Sequence, residues 1–205
     1  MMVSPRRSLV HYAQKLAHLG LVTGHEGNLS LRTREGIYTT PSGRFKEDLR
    51  PEDIVLVDEE GKVLEGGRPS SELPMHLAIY RARPDVRAVV HAHPPYTLAL
   101  EITGHDFSEV HLVEAALFLG EIKLVPFAVP GTEEVPEKLA PFLSEGQIFV
   151  LSRHGAVTLG KSLDEALNLM CILEKVSRVV WLAKALEGDV APLSPEELER
   201  LKERA

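Results

Sequence analysis

Residues 147–159 read QIFVLSRHGAVTL and contain two apolar runs separated by a short turn. Gln147 to Leu151 and Ala156 to Leu159 have the length and apolar character of buried strands. The turn Arg153-His154-Gly155 between them is far too short for the crossover that a parallel pair requires. This stretch therefore predicts an antiparallel hairpin inside a sheet.

The same pattern recurs toward the N-terminus. Leu29 to Thr33 and Gly36 to Thr40 predict a second hairpin. Val86 to His93 predicts a buried strand that is ended by Pro94-Pro95. Several strand pairs are thus joined by connections that only antiparallel neighbours can use.

Helical segments alternate with these strands. Ser4-Pro5 opens the first helix, and Ser162 with Glu165 forms a capping box before a long helix that runs to Leu186. Apolar residues wrap more than half of the long helix, which predicts burial on two sides, one of them against another subunit. Ser70-Ser71-Glu72 begins a helix that stops near Arg83, and Ser108 to Leu119 predicts another. The alternation predicts an α/β fold: a three-layer α/β/α single domain over residues 1–205 with a mixed, largely antiparallel central sheet.

Composition excludes several classes of protein. Lys plus Arg total 23 and Asp plus Glu total 30, so the net charge is −7. That sign argues against non-specific nucleic-acid binding, which needs a basic surface. Cys171 is the single cysteine, which excludes an intramolecular disulfide and fits a reducing compartment. No uncharged apolar run approaches the ~18 residues of a membrane span, so we expect a cytoplasmic protein with no membrane partner.

The sharpest chemical signal is His91-Ala92-His93 at the end of a strand. Residues i and i+2 of a strand point to the same face, so the two imidazoles start ~7 Å apart and can converge on one metal ion. Such a pair also occurs by chance or for packing. His154 sits at another strand end beside Gly155 and is the natural third ligand, although a turn histidine is its ordinary interpretation. Three neutral imidazoles suit a divalent transition metal, Zn²⁺ first.

Glu72 lies close to the start of its predicted helix. Its ordinary role there is to balance the helix dipole or to pair with His76 one turn later. His76 itself is expected to be structural.

Small polar residues form a second group. Asn28 follows Gly27 in a turn, Ser42-Gly43 forms another turn, and Ser70-Ser71 precedes a helix. Turn and cap formation explain each of them separately. Together their hydroxyls and the free amides of a helix start could hold the phosphate of a sugar phosphate.

The order of these motifs resembles that of the class II aldolase/adducin family. The likeness rests on five motifs in sequence, running from the first helix to near Leu186: Gly27-Asn28-Leu29-Ser30, Thr40-Pro41-Ser42-Gly43, Ser70-Ser71-Glu72, His91-Ala92-His93 and His154-Gly155. Within the family, the likeness is greatest to aldolases that cleave ketose 1-phosphates such as L-fuculose 1-phosphate.

This resemblance implies a role for each motif residue. His91, His93 and His154 would bind one Zn²⁺ per chain, and Glu72 would be the catalytic acid/base and could also touch the metal. The phosphate-binding positions would be Asn28, Ser42, Gly43, Ser70 and Ser71. The reaction would be reversible cleavage to dihydroxyacetone phosphate and a short aldehyde such as lactaldehyde. The family also implies a homotetramer with active sites at subunit interfaces.

One departure concerns the aldehyde end of the substrate. Leu112 stands where the family aldolase has a tyrosine, and no tyrosine follows Tyr96. Other readings are a methylthioribulose-1-phosphate dehydratase, a pentulose-phosphate 4-epimerase, a non-catalytic adducin-like interaction domain and an unrelated zinc hydrolase. The epimerases usually carry Asp at the position of Glu72, and the adducin-like reading expects the metal ligands to be lost.

Overall fold

The computed structural model describes residues 4–186 and 190–203. Residues 1–3, 187–189 and 204–205, which the predicted domain includes, lie outside the described residues. Eight strands form one sheet: β1 (Asn28–Arg32), β2 (Ile37–Thr39), β3 (Val55–Val57), β4 (Val63–Glu65), β5 (Ala88–Ala92), β6 (Ile122–Val125), β7 (Ile148–Leu151) and β8 (Gly155–Gly160). The α-helices are α1 (Pro5–His18), α2 (Leu73–Ala82), α3 (Pro95–Ile102), α4 (Glu134–Leu139), α5 (Leu163–Ala185) and α6 (Pro195–Lys202).

The strand order is β4-β3-β2-β1-β5-β8-β7-β6. Every neighbouring pair is antiparallel except β6 and β7, which are parallel. The predicted hairpin is β7 and β8, paired from Ile148 with Thr158 to Leu151 with Gly155. A mixed, largely antiparallel sheet is thereby confirmed.

Two apolar cores lie on opposite faces of the sheet. On one face, Val90 of β5 packs in the same cluster as Leu9 of α1 and Met170 of α5. On the other face, Val89 packs with Ile79 of α2 and with residues of α4. The alternation along β5 follows from the two-residue repeat of a strand. Helices on both faces produce the three predicted layers.

Helix α2 begins later than predicted. Its first residue is Leu73, with Glu72 at the N-cap and Pro74 in the first turn. Ser70 to Leu73 instead form a turn, closed by a 3.1 Å bond from the Leu73 amide to the Ser70 carbonyl. Glu72 therefore precedes the first helical turn, and its side chain makes no capping hydrogen bond to that turn.

The predicted helix from Ser108 to Leu119 is wrong in its first half. Residues 103–112 are turns and irregular backbone, and a π-helix follows over Ala115–Leu119. Local hydrogen bonds compete with a helix at this point: Asp106 Oδ1 accepts from the Ser108 amide, and the Val110 carbonyl accepts from the Leu193 amide. The sequence also gave no sign of α3, because Pro94-Pro95 reads as a break although Pro95 is the first residue of a helix.

Within the described ranges, no helix combines the length and the apolar character that crossing a membrane requires.

Candidate metal centre

The three histidines of the predicted metal site come from two adjacent strands. His91 is the fourth residue of β5, His93 follows that strand, and His154 lies in the turn between β7 and β8. Pairing of β5 with β8, Ala92 opposite Ala156, brings that turn to the end of β5. Gly155 permits the close approach, because a Cβ there would lie 2.5 Å from the Ala92 carbonyl oxygen and 2.9 Å from His91 Cε1.

The imidazoles converge as metal ligands do. Their ring centroids are 4.9 to 5.2 Å apart, and the Nε2 atoms of His91 and His93 lie 3.2 Å apart. Two nitrogens bound to zinc at ~2.0–2.1 Å with tetrahedral angles are separated by about 3.3 Å. The side-chain positions therefore fit a divalent ion such as zinc without rearrangement.

The outer ring nitrogens of both strand histidines are held by acceptors. His91 Nδ1 lies 3.0 Å from the Ala156 carbonyl oxygen, and His93 Nδ1 lies 2.9 Å from Glu26 Oε2. Donation from Nδ1 to these acceptors leaves the Nε2 lone pairs directed at the shared centre. Glu26 was not identified from the sequence, because a glutamate in a glycine-rich turn carries no local sign of such a partner.

Glu72 closes the fourth side of the histidine cluster. Its Oε2 lies 3.2 Å from His91 Nε2, and its Oε1 lies 3.2 Å from His154 Nε2. Burial alone would raise the pKa of Glu72, but the neighbouring His91 and His154 rings outweigh it and hold that pKa well below its usual range. Oε1 is buried and, apart from the nearby His154 ring, has no hydrogen-bond partner in the described structure. An ionised carboxylate with an unsatisfied oxygen beside three imidazoles is what an added cation would satisfy.

A buried hydrogen-bond network supports Glu72 through Asn28. Asn28 Nδ2 donates to Glu72 Oε2 over 2.8 Å, and Asn28 Oδ1 lies 2.5 Å from His76 Nε2. Ser30 Oγ lies 2.6 Å from His76 Nδ1 and 2.8 Å from the Tyr80 hydroxyl. Burial lowers the pKa of His76 to about 3, so its ring is neutral at pH 7.

Of the two sequence expectations for His76, the pairing with Glu72 is wrong, whereas a structural role agrees with its full burial and its two hydrogen-bond partners. His76 does not pair directly with Glu72, and its ring reaches that carboxylate only through Asn28. The sequence did contain a signal for this network. Glu72, His76 and Tyr80 recur every four residues along α2, and Asn28 and Ser30 alternate along β1, so each set shares a face.

The predicted phosphate-binding residues come together beside the metal cluster. They line a cavity of about 200 Å³, the polar cleft, which we define by Glu26, Asn28, Ser42, Gly43, Ser70, Ser71, Glu72, His93, Gly131 and His154. The Ser42 amide donates to the Arg68 carbonyl over 3.0 Å and the Ser70 amide to the Thr40 carbonyl over 3.2 Å, which joins the two turns.

Two features in and beside the cleft were not expected. Asn28 is almost fully buried and already uses its amide on Glu72 and His76, so at most one of its N–H bonds remains for a ligand. Lys46 is buried below the glycine-rich turn, where its Nζ donates to the His25 carbonyl over 3.0 Å. Burial lowers the pKa of Lys46 to about 8.

Leu112 is not among the described residues of one chain that line the polar cleft. The position that the resemblance assigns to the aldehyde end thus does not line the cleft of its own chain.

The motif order and this geometry agree with a family comparison. Residues 7–181 match the model of the family described as Class II Aldolase and Adducin N-terminal domain. The chain belongs to this family. A solved structure from this family has the same fold. That structure, of L-fuculose 1-phosphate aldolase, superposes with a TM-score of 0.88 at 31% identity, covering 100% of this chain and 97% of the other.

Curated relatives within the family differ in their reactions. The chain is 33% identical to the 5-methylthioribulose-1-phosphate/5-deoxyribulose-1-phosphate aldolase of Rhodospirillum rubrum, over 98% of this chain and 91% of that protein. It is 34% identical to the L-fuculose phosphate aldolase of Escherichia coli K12, over 94% and 89%. It is 35% identical to the 3-oxo-tetronate 4-phosphate decarboxylase of the same strain, over 87% of both. The comparisons therefore establish the class II aldolase superfamily, but they do not identify the substrate, because relatives of similar identity catalyse different reactions.

Proposed function

We propose that this protein is a zinc-dependent aldolase that reversibly cleaves a ketose 1-phosphate to dihydroxyacetone phosphate and a short aldehyde such as lactaldehyde. The observation that carries the proposal is the convergence of His91, His93 and His154 on Glu72, inside a cleft that also presents Ser42, Gly43, Ser70 and Ser71. In this proposal the three histidines hold the metal at the reacting oxygens of the dihydroxyacetone phosphate half, and the serine turns bind its phosphate.

His91, His93 and His154 would hold the ion, and Glu72 could add a carboxylate oxygen. Cleavage of the C–C bond leaves negative charge on the oxygens of the dihydroxyacetone phosphate half, and a divalent ion supplies the positive charge that stabilises it. Glu72, which is ionised and accepts a hydrogen bond from Asn28, would move a proton at the carbon of that half. Ser42, Gly43, Ser70 and Ser71 would hold the phosphate and so fix the position of the reacting carbon.

The related aldolases act on substrates that share this half. L-Fuculose 1-phosphate would yield lactaldehyde, and 5-deoxyribulose 1-phosphate would yield acetaldehyde, with dihydroxyacetone phosphate as the common product. Both substrates are therefore tested, and because they differ in the aldehyde that they release, the faster cleavage identifies the preferred aldehyde.

We further propose a homotetramer with active sites at subunit interfaces, formed by a single domain in the cytoplasm. Two observations support association. Val179, Trp181 and Leu182 of α5 are 39%, 41% and 44% exposed, which is unusual for large apolar side chains on one helix. Leu112 also stands outside the cleft of its own chain. Sedimentation of the purified protein tests this, and a monomer at micromolar concentration would contradict it.

The decisive experiment incubates the zinc-loaded protein with each ketose 1-phosphate and follows dihydroxyacetone phosphate through a coupled reductase. Release of that product with either substrate supports an aldolase. Loss of water or inversion at C4, without dihydroxyacetone phosphate, would identify a dehydratase or an epimerase instead. Decarboxylation of a 3-oxo-tetronate 4-phosphate itself leaves dihydroxyacetone phosphate, so a decarboxylase would be identified by release of CO₂ from that acid together with no cleavage of either ketose 1-phosphate.

A further inference from the structure

A second group of side chains with metal-binding chemistry lies in the irregular segment 103–112 that follows α3. His105, Glu109 and His111 each offer one ligand atom, and these atoms lie within 4.8 Å of one another. The group shares no residue with the polar cleft. It is therefore a separate candidate, which the function proposed above does not use.

His111 is the residue that demands an explanation. Its side chain is only 5% exposed, and both of its ring nitrogens are buried without a hydrogen-bond partner among the described residues. Nε2 lies 3.4 Å from Glu109 Oε2, which is longer than a normal hydrogen bond. A buried polar atom left unsatisfied costs roughly 1–3 kcal/mol, so native structures supply a water or an ion at such places.

The surroundings of His111 are mainly apolar and offer few partners for its ring nitrogens. It faces a cavity of about 30 Å³ whose walls include Leu100, Phe107, Leu119 and Leu173. The apolar wall atoms cannot bond the ring nitrogens, and the space suits one ion or one water rather than an organic ligand.

His105 stacks on His111, with ring centroids 5.7 Å apart and an angle of 29° between the rings. Lys184 Nζ, on the exposed side of α5, lies 3.1 Å from His105 Nδ1. Burial, Lys184 and His111 lower the pKa of His105.

We propose that His105, Glu109 and His111 bind a second divalent transition-metal ion, with zinc as the first choice. Two imidazoles and one carboxylate are a common zinc donor set. Glu109 is half exposed and leaves an entry path from solvent. The site is weaker than the first, because the Lys184 ammonium beside His105 must turn away.

The bound ion would act structurally on segment 103–112. This segment lacks regular secondary structure, and its Val110 carbonyl is tied to the Leu193 amide by a 2.7 Å bond. An ion that bridges His105, Glu109 and His111 closes the segment on itself and stabilises the folded state only.

Zinc stoichiometry tests the proposal directly. The chelator-stripped protein is dialysed against increasing free Zn²⁺, and the zinc bound per chain is measured. We expect two ions, the second bound more weakly, with His111→Gln and Glu109→Gln each retaining one. His93→Ala should lose the tighter ion and retain the weaker one, so failure of the cleft site and failure of this site give different results. Saturation at one ion per chain, or two ions in both segment variants, would overturn the proposal.

Lys184→Ala provides a test in the opposite direction. Removal of a cation beside His105 should tighten the weaker site about five- to tenfold, since the repulsion acts at short range. Lys175→Ala is the matched control, because Lys175 lies on the same helix but its Nζ pairs with Glu114 Oε1. If the wild type, Lys184→Ala and Lys175→Ala bind zinc with equal affinity, His105 is not a ligand and the proposed site is wrong.

Discussion

Asn28 Nδ2 donates a 2.8 Å hydrogen bond to Glu72 Oε2, although the two residues are 44 positions apart in the chain. The bond links the first residue of β1 to the N-cap of α2 and sets the direction of the carboxylate toward His91 and His154. His76 Nε2 bonds the Asn28 Oδ1 atom, so the Nδ2 group of that amide faces Glu72. The orientation of the amide is therefore set by the protein and not by a substrate.

Removing one imidazole should empty the metal centre. His93→Ala is expected to lose the cleft zinc or bind it far more weakly, since two remaining histidines are a poor site. Metal content after dialysis measures this, with His11→Ala on the exposed side of α1 as a matched control. Full zinc content together with full activity in His93→Ala would show that the site is misassigned.

Glu72→Gln separates catalysis from stability. The amide keeps the volume and can still accept from Asn28, but it cannot take up a proton, so turnover should fall by ~100-fold or more while phosphate affinity changes little. If Glu72 only balances the helix dipole, turnover survives and stability falls by less than ~1 kcal/mol. Turnover number, zinc content and melting temperature of the one variant decide between these outcomes.

Ser71→Ala and Asn28→Ala should fail in different ways. Ser71→Ala is expected to raise the Michaelis constant of the phosphorylated substrate and to weaken inhibition by phosphate-bearing analogues. Asn28→Ala is expected to lower turnover as well, because Glu72 loses its hydrogen-bond donor. Steady-state kinetics with one ketose 1-phosphate measure both, and wild-type values in the two variants would exclude these residues from the site.

The aldehyde end should be loosely selected. An apolar side chain such as Leu112 discriminates between similar aldehydes by only ~1–3 kcal/mol, whereas hydrogen-bonding sites achieve more. We expect strict use of dihydroxyacetone phosphate, tolerance of several short aldehydes and imperfect control of the new stereocentre, which Leu112→Tyr should sharpen. The diastereomer ratio from lactaldehyde and glycolaldehyde measures this. One diastereomer from every aldehyde, unchanged by Leu112→Tyr, would point to a different residue.

His76 should make the fold sensitive to acid. Its pKa falls from the ordinary 6.5 to about 3 on folding, so the unfolded chain binds more protons between those values. Stability is then lost as the pH falls from 6.5 toward 3, by up to ~1.4 kcal/mol per pH unit for this group. His76→Gln should be less stable than wild type at pH 7, and the difference should narrow below pH 6.5. Denaturant unfolding with a chelator present measures it, and a difference independent of pH would contradict the assignment.

Local sequence patterns determined much of the architecture. The turn at Arg153-His154-Gly155 is too short for anything but an antiparallel connection, and β7 and β8 pair accordingly. The two-residue repeat of a strand places His91 and His93 on one face whatever the rest of the chain does. Ser162 caps α5 through a 3.1 Å bond from the Glu165 amide, which is half of the predicted capping box. The Glu165 side chain accepts from the Lys161 amide and not from that of Ser162.

Patterns failed where hydrogen bonds from distant segments competed with local preference. The segment before the π-helix has helical spacing of apolar residues, yet the Leu193 amide takes the Val110 carbonyl that a helix would use. The start of α2 moved to Leu73 because the Ser70 carbonyl closes a turn instead.

The sequence by itself determined which residues could do the chemistry: three imidazoles, one carboxylate and a set of small polar turns. Only the tertiary structure decided how they are oriented. Glu26 is 67 residues from His93, and His76 is 48 residues from Asn28, so no periodicity along the chain connects either pair. Antiparallel pairing of β1 with β5, Asn28 opposite His91, brings Glu26 beside His93, because a sheet makes neighbours of strands that are remote in sequence. Packing of α2 on one face of that sheet brings His76 to Asn28.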